Sequence, residues 1–342
     1  MNIRNIAEKA GVSVATVSRV LNHPETVKEA TRKKIEAIME SEEYTPNWFA
    51  RGLNFNKTGT IGLMLPNILD NTSIEVAKGV EDVAHQKEYT TLICNVENDL
   101  EKERKYLQLL VQRKVDGIVM IQPSFDEKDF EMLKENNIPS VIIGENKHVN
   151  GTHTVTIDSC KGAKRAMEHL LNIGYTKVAI VCGDTPRTEN ANKLKGYSEI
   201  LQKHGIKYVD KYVVNAPNTI EGGYIAAKKL IEMDDMPEAI FATSDTLAFG
   251  IMDAVYDNGM TIPDDIGVVG FDNIRMSNLV TPKLTTVEKP LHKMGVMGAR
   301  LLIDFIDGDE EAFSGGGKEI VLMSKLKIRK SCGHKERIGE MF

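Results

Sequence analysis

The sequence predicts an α/β protein: a small all-helical N-terminal domain followed by two lobes of doubly wound parallel sheet. Three observations predict it. Residues 1–45 carry helical apolar spacing with no strand signal. From Thr60 onward, short apolar β-rich runs alternate with helical patterns of 12–16 residues, as in parallel sheets covered on both faces. About ten such strands over some 270 residues are too many for one doubly wound core, so two lobes are expected.

In chain order, Ile3, Ile6, Ala7 and Ala10 form the stripe of a first helix that Gly11 stops. Ser13 is placed to cap a second helix reaching about Leu21. A third runs from about Lys28 to Glu42 with Ile35, Ile38 and Met39 facing inward. Two short helices joined by a tight glycine turn are the helix-turn-helix pattern, and spacing alone leaves a generic three-helix bundle equally open. The segment 46–59, opened by Pro46 and closed by Gly59, reads as a short helix in a linker. Strands follow at 60–67, 90–96, 116–123, 138–144, 154–159, 177–184, 239–245 and 266–273. Residues 307–318 read as an exposed loop and 331–342 as a loose tail.

Composition excludes several classes. Hydrophobic content of 42% and charged content of 27% are ordinary for a soluble globular chain of 342 residues. No apolar run approaches the roughly 20 residues of a membrane span, and the N-terminus lacks a secretory apolar region, so a cytoplasmic protein without membrane contact is expected. Cys94, Cys160, Cys182 and Cys332 are scattered, as reduced thiols are. Net charge is −6, yet residues 1–34 carry a local +4 and leave about −10 for the rest. A basic cap on an acidic body fits a nucleic-acid module joined to something else. There is no GxxxxGK[ST], GxGxxG, HExxH or GxSxG; GGGKE at 315–319 has the wrong spacing. The dispersed histidines, His169 among them, have no other ligand types at metal spacing. No catalytic residue, cofactor or metal is expected, and the chain does not read as an enzyme.

The stretch AEKAGVSVATVSRVLNHPETVKEATRKKIEAIMESEEYTPNWFARGL (7–53) closely resembles the lac-repressor/galactose-repressor (LacI/GalR) family. The resemblance continues in the family's order through IGLMLPN, VDGIVM, VTIDS, GYTKVAIVCGD, SDTLAFG, IPDDIGVVGFDN and PKLTTVEKP, spanning about residues 2–331. It implies a helix-turn-helix headpiece (1–45), a hinge helix (46–57) and a two-lobed periplasmic-binding-protein-like core (58–330). Lobe N would take about 58–157 and 288–318, and lobe C about 158–287 and 319–330. The resemblance also implies a transcription regulator, most often a repressor, that binds double-stranded operator DNA as a dimer or pair of dimers.

The residues make physical sense for that task. Val14 and Ala15 open the second helix, short and apolar enough for thymine methyls. Arg19, one turn on, can reach guanine N7 and O6 with its planar fork. Ser13, Thr16, Ser18 and Asn22 are short polar groups suited to phosphate oxygens; for Thr16 and Ser18, helix solubility is the alternative. By resemblance, Leu53 is the hinge leucine that wedges into the minor groove at the operator centre, with Arg51 beside it meeting the groove's negative potential. Interdomain packing is the other reading of Leu53.

In the core, ligands of such folds sit at the carboxyl ends of the strands. Asp158, Ser244, Asp245 and Asp272 fall there, although Asp245 can equally cap a helix. By resemblance, Lys193 stands where many relatives carry an effector-gripping arginine, and Asp272 where they hold a sugar hydroxyl. Two positions depart from the family. Leu69-Asp70-Asn71-Thr72-Ser73 replaces the usual Ser-Asn-x-Phe-aromatic run, and Asn218 aligns loosely with a stacking aromatic. A hexose clamped between rings is therefore not expected. Asn71, Thr72, Ser73, Asp158, Lys193, Asn218, Ser244 and Asp272 are the candidate effector residues. A small polar, carbohydrate-related ligand, a phosphorylated one recruiting Lys193, or no small ligand all stay open. A catabolite-control branch of the family senses a phosphorylated carrier protein through the helix at 290–304, where Arg300 matches and His292-Lys293 departs. A sugar-binding receptor is the alternative from another class, which the headpiece argues against.

Overall fold

The computed structural model describes residues 2–22, 24–42, 57–145, 152–184, 187–308 and 317–333, the side chains of Asn22 and Arg187 excepted. Nearly all of the expected hinge segment, with Arg51 and Leu53, lies outside the described residues.

Among the described residues the N-terminal unit holds three α-helices, α1 (Ile3–Ala10), α2 (Val14–Asn22) and α3 (Glu29–Ser41). Asn2 caps α1, its Oδ1 accepting the Arg4 and Asn5 amides at 3.0 and 3.1 Å. Gly11 ends α1 at φ +68°, a left-handed conformation that glycine adopts without steric penalty. Two residues later Ser13 starts α2, its Oγ accepting the Thr16 amide at 3.2 Å. Ile6, Ala7, Ala10, Val17, Val20 and Ile35 form the buried core, with Ile3, Ile38 and Met39 packed against it. The stripes read from the sequence are thus the ones that meet.

The larger unit contains two six-stranded sheets. In the first, β1 (Thr60–Leu65), β2 (Thr90–Asn95), β3 (Gly117–Ile121), β4 (Ser140–Ile143), β5 (His153–Ile157) and a late strand β11 (Glu319–Leu322) lie in the order β11-β5-β4-β3-β1-β2. In the second, β6 (Val178–Gly183), β7 (Val213–Ala216), β8 (Ala239–Ala242), β9 (Gly267–Asp272), β10 (Thr285–Glu288) and β12 (Lys325–Lys327) lie in the order β12-β10-β9-β8-β6-β7. Every recorded pairing is parallel except β10 with β12. Strands β3, β6, β8 and β9 are buried along their whole length, as strands covered on both faces must be.

Helices follow most of the strands. They are α4 (Asn71–Gln86) after β1, α5 (Leu100–Gln112) after β2, α6 (Glu127–Glu135) after β3 and α7 (Ser159–Asn172) after β5. In the second lobe α8 (Arg187–Lys203) follows β6, α9 (Ile220–Ile231) follows β7, and α10 (Asp245–Asp257) follows β8. Helix α11 (Leu291–Ile306) follows β10 but packs on α4 and on β3–β5, in the first lobe.

Two expectations need correction. The last crossing between lobes does not fall at 318/319: β11 pairs with β5 in the first sheet, from Glu319↔Thr154 to Leu322↔Ile157, and only β12 belongs to the second. Both are short, partly exposed edge strands of four and three residues. The loose tail also begins later than 331. Ser331 and Cys332 are fully buried; Ser331 Oγ donates to the Val268 carbonyl at 2.6 Å and accepts the Thr285 amide at 2.8 Å. Their polar character hid a sheet-end plug.

Candidate functional site

Helix α2 is two-faced. Val17 and Val20 are buried, while Ser13, Val14, Ala15 and Arg19 are exposed and Thr16 and Ser18 are half-buried. Val14 keeps 41% of its surface in solvent, which is unusual for a β-branched residue in so small a unit. Among the described residues Arg19 has no ion pair, whereas Lys9, Arg32 and Lys33 are paired with Glu42, Glu36 and Glu29. The free cation and the bare apolar start of α2 therefore share the face that the core does not use.

The second site is a cleft of about 740 Å³ in the larger unit. It opens where strand order reverses in both sheets, between β1 and β3 and between β6 and β8. Loops at those carboxyl ends supply its lining: Asp70, Asn71 and Thr72 after β1, Gln122 at the end of β3, Asp184 and Glu189 after β6, Thr243 and Ser244 after β8. Asp272 at the end of β9 and Lys289 after β10 complete it. Gln122, Asp272 and Asn273 hold positive φ (48°, 111° and 58°) although none is glycine. Such backbone strain is kept where the surroundings impose it, often at binding sites.

The cleft base is a buried ionic cluster. Glu189 Oε1 lies 2.7 Å from Lys193 Nζ and 3.0 Å from Lys289 Nζ, with Lys289 3.2 Å from Oε2. Lys193 Nζ also donates to the Thr243 carbonyl at 2.9 Å and sits 4.0 Å from the Phe271 ring centroid. Lys289 lies 3.8 Å from Asp272 Oδ1. Burial acts to raise the Glu189 pKa, but Lys193 and Lys289 outweigh it and hold the group ionised. Burial pushes the Asp272 carboxyl up to about 7 despite the same two lysines. Two hydrogen bonds cross between lobes onto α8: Gln122 Nε2 donates to Glu189 Oε2 at 2.7 Å, and Asn192 Nδ2 donates to Glu145 Oε2 at 2.8 Å.

Six of the eight candidate effector residues line this cleft: Asn71, Thr72, Lys193, Asn218, Ser244 and Asp272. Two do not. Ser73 is buried and hydrogen-bonds Asp70, and Asp158 is an exposed cap of α7, accepting the Lys161 amide at 2.8 Å. Asp245 does not serve as the cap of α10, a place Ser244 takes by accepting the Leu247 amide at 3.2 Å. Its carboxylate is fully buried and accepts the Ile274 amide at 2.8 Å and the Thr286 hydroxyl at 2.5 Å, fixing the loop that follows Asp272. Phe249 is the one aromatic ring among the described lining residues, and Asn218 Oδ1 accepts the Ser244 hydroxyl where a ring was absent from the sequence. Sequence reasoning missed Gln122, Asp184, Glu189 and Lys289. The Glu189–Lys193 spacing of four on a helix was the available signal for one of these contacts.

Among the described residues there is no group of three or more candidate metal ligands and no helix long and apolar enough to cross a membrane. A helix-turn-helix unit carried on a two-lobed core of this topology defines a class of bacterial DNA-binding regulators. Residues 2–47 match the model of bacterial regulatory proteins of the lacI family, and residues 167–332 match a periplasmic binding protein-like domain. The chain is 36% identical over 308 residues to catabolite control protein A of Priestia megaterium, covering 90% of this chain and 93% of that one. It is 39% identical over 307 residues to the ribose operon repressor of Halalkalibacterium halodurans, covering 89% and 90%. A LacI family transcriptional regulator from Enterococcus faecium, solved with bound ribose, superposes with a TM-score of 0.71 at 28% identity, over 80% of this chain and 98% of that one. The chain belongs to the LacI family: it is a DNA-binding transcriptional regulator and not an enzyme.

Proposed function

We propose that the protein binds a palindromic operator as a homodimer, acts as a repressor in the cytoplasm, and is switched by a small polar effector in the cleft between its lobes. The observation that carries this reading is the meeting of both strand-order reversals in one polar cleft, at the place where α/β folds hold ligands. Carbohydrate is the favoured effector class, because similar proteins are named for ribose or were solved with it. Exposed apolar residues outside the cleft support a second copy as partner: Ile74 and Ile93 on the first lobe, and Ile225 and Leu279 on the second. Each headpiece would read one half-site through Val14, Ala15 and Arg19, with Ser13, Thr16, Ser18 and Asn22 on phosphates and Arg51 and Leu53 at the centre. An effector with different affinity for two lobe arrangements then shifts DNA affinity by that difference.

The test is a titration of a palindromic duplex, with a scrambled duplex as control, at physiological salt and with and without members of a sugar panel. Specific binding that changes with one sugar is expected. Equal binding of both duplexes refutes operator recognition. A second reading, control by a phosphorylated carrier protein, is favoured by the 36% identical catabolite control protein and by exposed Arg300 on α11, while His292-Lys293 on the same helix departs from that branch. It requires operator affinity to respond to that protein and to no sugar.

A further inference from the structure

We propose that Glu189 sets the ligand class of the cleft: as the internal counter-ion of Lys193 and Lys289, it excludes phosphorylated effectors and reserves the site for an uncharged polyol. The inference rests on the reading of the cleft as the effector site and deepens it.

Lysine is the residue that a phosphate would recruit, and two of them line this cleft. Both are already held inside the cluster. The three protons of the Lys193 ammonium face Glu189, the Thr243 carbonyl and the Phe271 ring. Those of Lys289 face both Glu189 oxygens and Asp272. Both ammonium groups and the Glu189 carboxylate are more than nine-tenths buried, so their mutual attraction is little screened. The rim adds charge of the opposite kind to what a phosphate needs. Asp70, Asp184 and Glu221 line the cleft, and none has an ion-pair partner among the described residues. An entering dianion would meet the Asp70, Asp184 and Glu221 carboxylates before reaching two cations whose charge Glu189 and Asp272 already offset in part. A polyol meets no such penalty. Its hydroxyls can donate to the rim carboxylates and exchange hydrogen bonds with Asn71, Asn218 and Thr246.

The experiment uses the full chain and its Glu189→Gln variant, which keeps the shape and one acceptor oxygen of the side chain while removing its charge. Both are checked for folding by circular dichroism. Inorganic phosphate and ribose 5-phosphate are titrated by calorimetry, with ribose as the neutral counterpart and ionic strength held constant. The wild type is expected to bind neither phosphate probe, and the variant to bind both at least about tenfold more tightly than the wild type does. A folded variant that gains no phosphate affinity overturns the proposal. So does a wild type that binds a sugar phosphate more tightly than its neutral parent across matched ribose and glucose pairs, a measurement that needs no variant. Failure of the effector reading looks different: no neutral sugar binds the wild type or alters operator affinity, while the variant still gains phosphate.

Discussion

Asp245 links the second lobe's fold to the shape of the cleft, and its removal has an effect that can be worked from the structure. Its carboxyl holds the Ile274 amide and the Thr286 hydroxyl, and Ile274 and Asp272 both line the cleft. Gly270 makes room for it, since a Cβ there would lie 2.3 Å from Asp245 Oδ1. In Asp245→Ala the Ile274 amide is left buried without an acceptor, at about 1–3 kcal/mol, and one hydroxyl bond worth about 0.5–1.5 kcal/mol is lost. The expected destabilisation is about 2–4 kcal/mol, read from urea unfolding of the larger unit. Asp245→Asn behaves differently, because its oxygen can accept from Ile274 while its NH₂ donates to the Thr286 oxygen. Burial, helped by the Asp272 carboxyl, holds the Asp245 pKa well above its ordinary value. A carboxyl whose folded pKa exceeds its unfolded one binds its proton more tightly when folded. Its contribution is therefore most favourable at acid pH and declines as pH climbs from about 4 towards the folded pKa. The stability of Asp245→Asn relative to wild type should rise over that window. An alanine variant within about 0.5 kcal/mol of wild type, or an Asn-to-wild-type difference that stays flat with pH, refutes the reasoning.

Arg19→Ala should weaken operator binding by about 1–3 kcal/mol and relax preference at one symmetric base pair, measured by competition among operator variants; uniform weakening of all sequences would place Arg19 on phosphate. Leu53→Ala should reduce the central bend of the operator, read from gel mobility of permuted fragments, and an unchanged bend and affinity would remove the wedge. Ile35→Ala empties the middle of a six-residue headpiece core and should cost about 2–5 kcal/mol there. Operator binding should fail while thermal unfolding of the larger unit is unmoved, and a retained headpiece helix signal at full DNA affinity would count against that core.

The elements that were legible in the sequence are those whose signal is local. Eight apolar runs stood out because interior parallel strands are buried on both faces and need no alternation, as in GIVMI of β3 and VAIVCG of β6. The N-terminal helices were legible because Gly11 and Ser13 mark their ends by backbone conformation and capping. Strands β7 (VVNA), β11 (EIVL) and β12 (KLK) are edge strands of only four, four and three residues, too short and too little buried to stand out as runs. Their assignment to sheets depends on partners far away in sequence: β11 joins β5 across more than 160 residues.

The candidate site was legible by position and illegible by charge. Standing after a strand was necessary for reaching the cleft and not sufficient. Ser244 after β8, Asp272 at the end of β9 and Lys289 after β10 line the cleft, whereas Asp158 after β5 caps a helix instead. Lys193, taken alone, reads as a free cation waiting for an anion. Its partner Glu189 sits one turn earlier, but the competing cation Lys289 comes one hundred residues later, and only the fold shows that one carboxylate serves both. The electrostatic meaning of a lysine in such a cleft is therefore a property of the closed cluster and not of the residue. Glu189 and its neighbour Asp272 together set how much of the charge on the two buried ammonium groups is left for an anion.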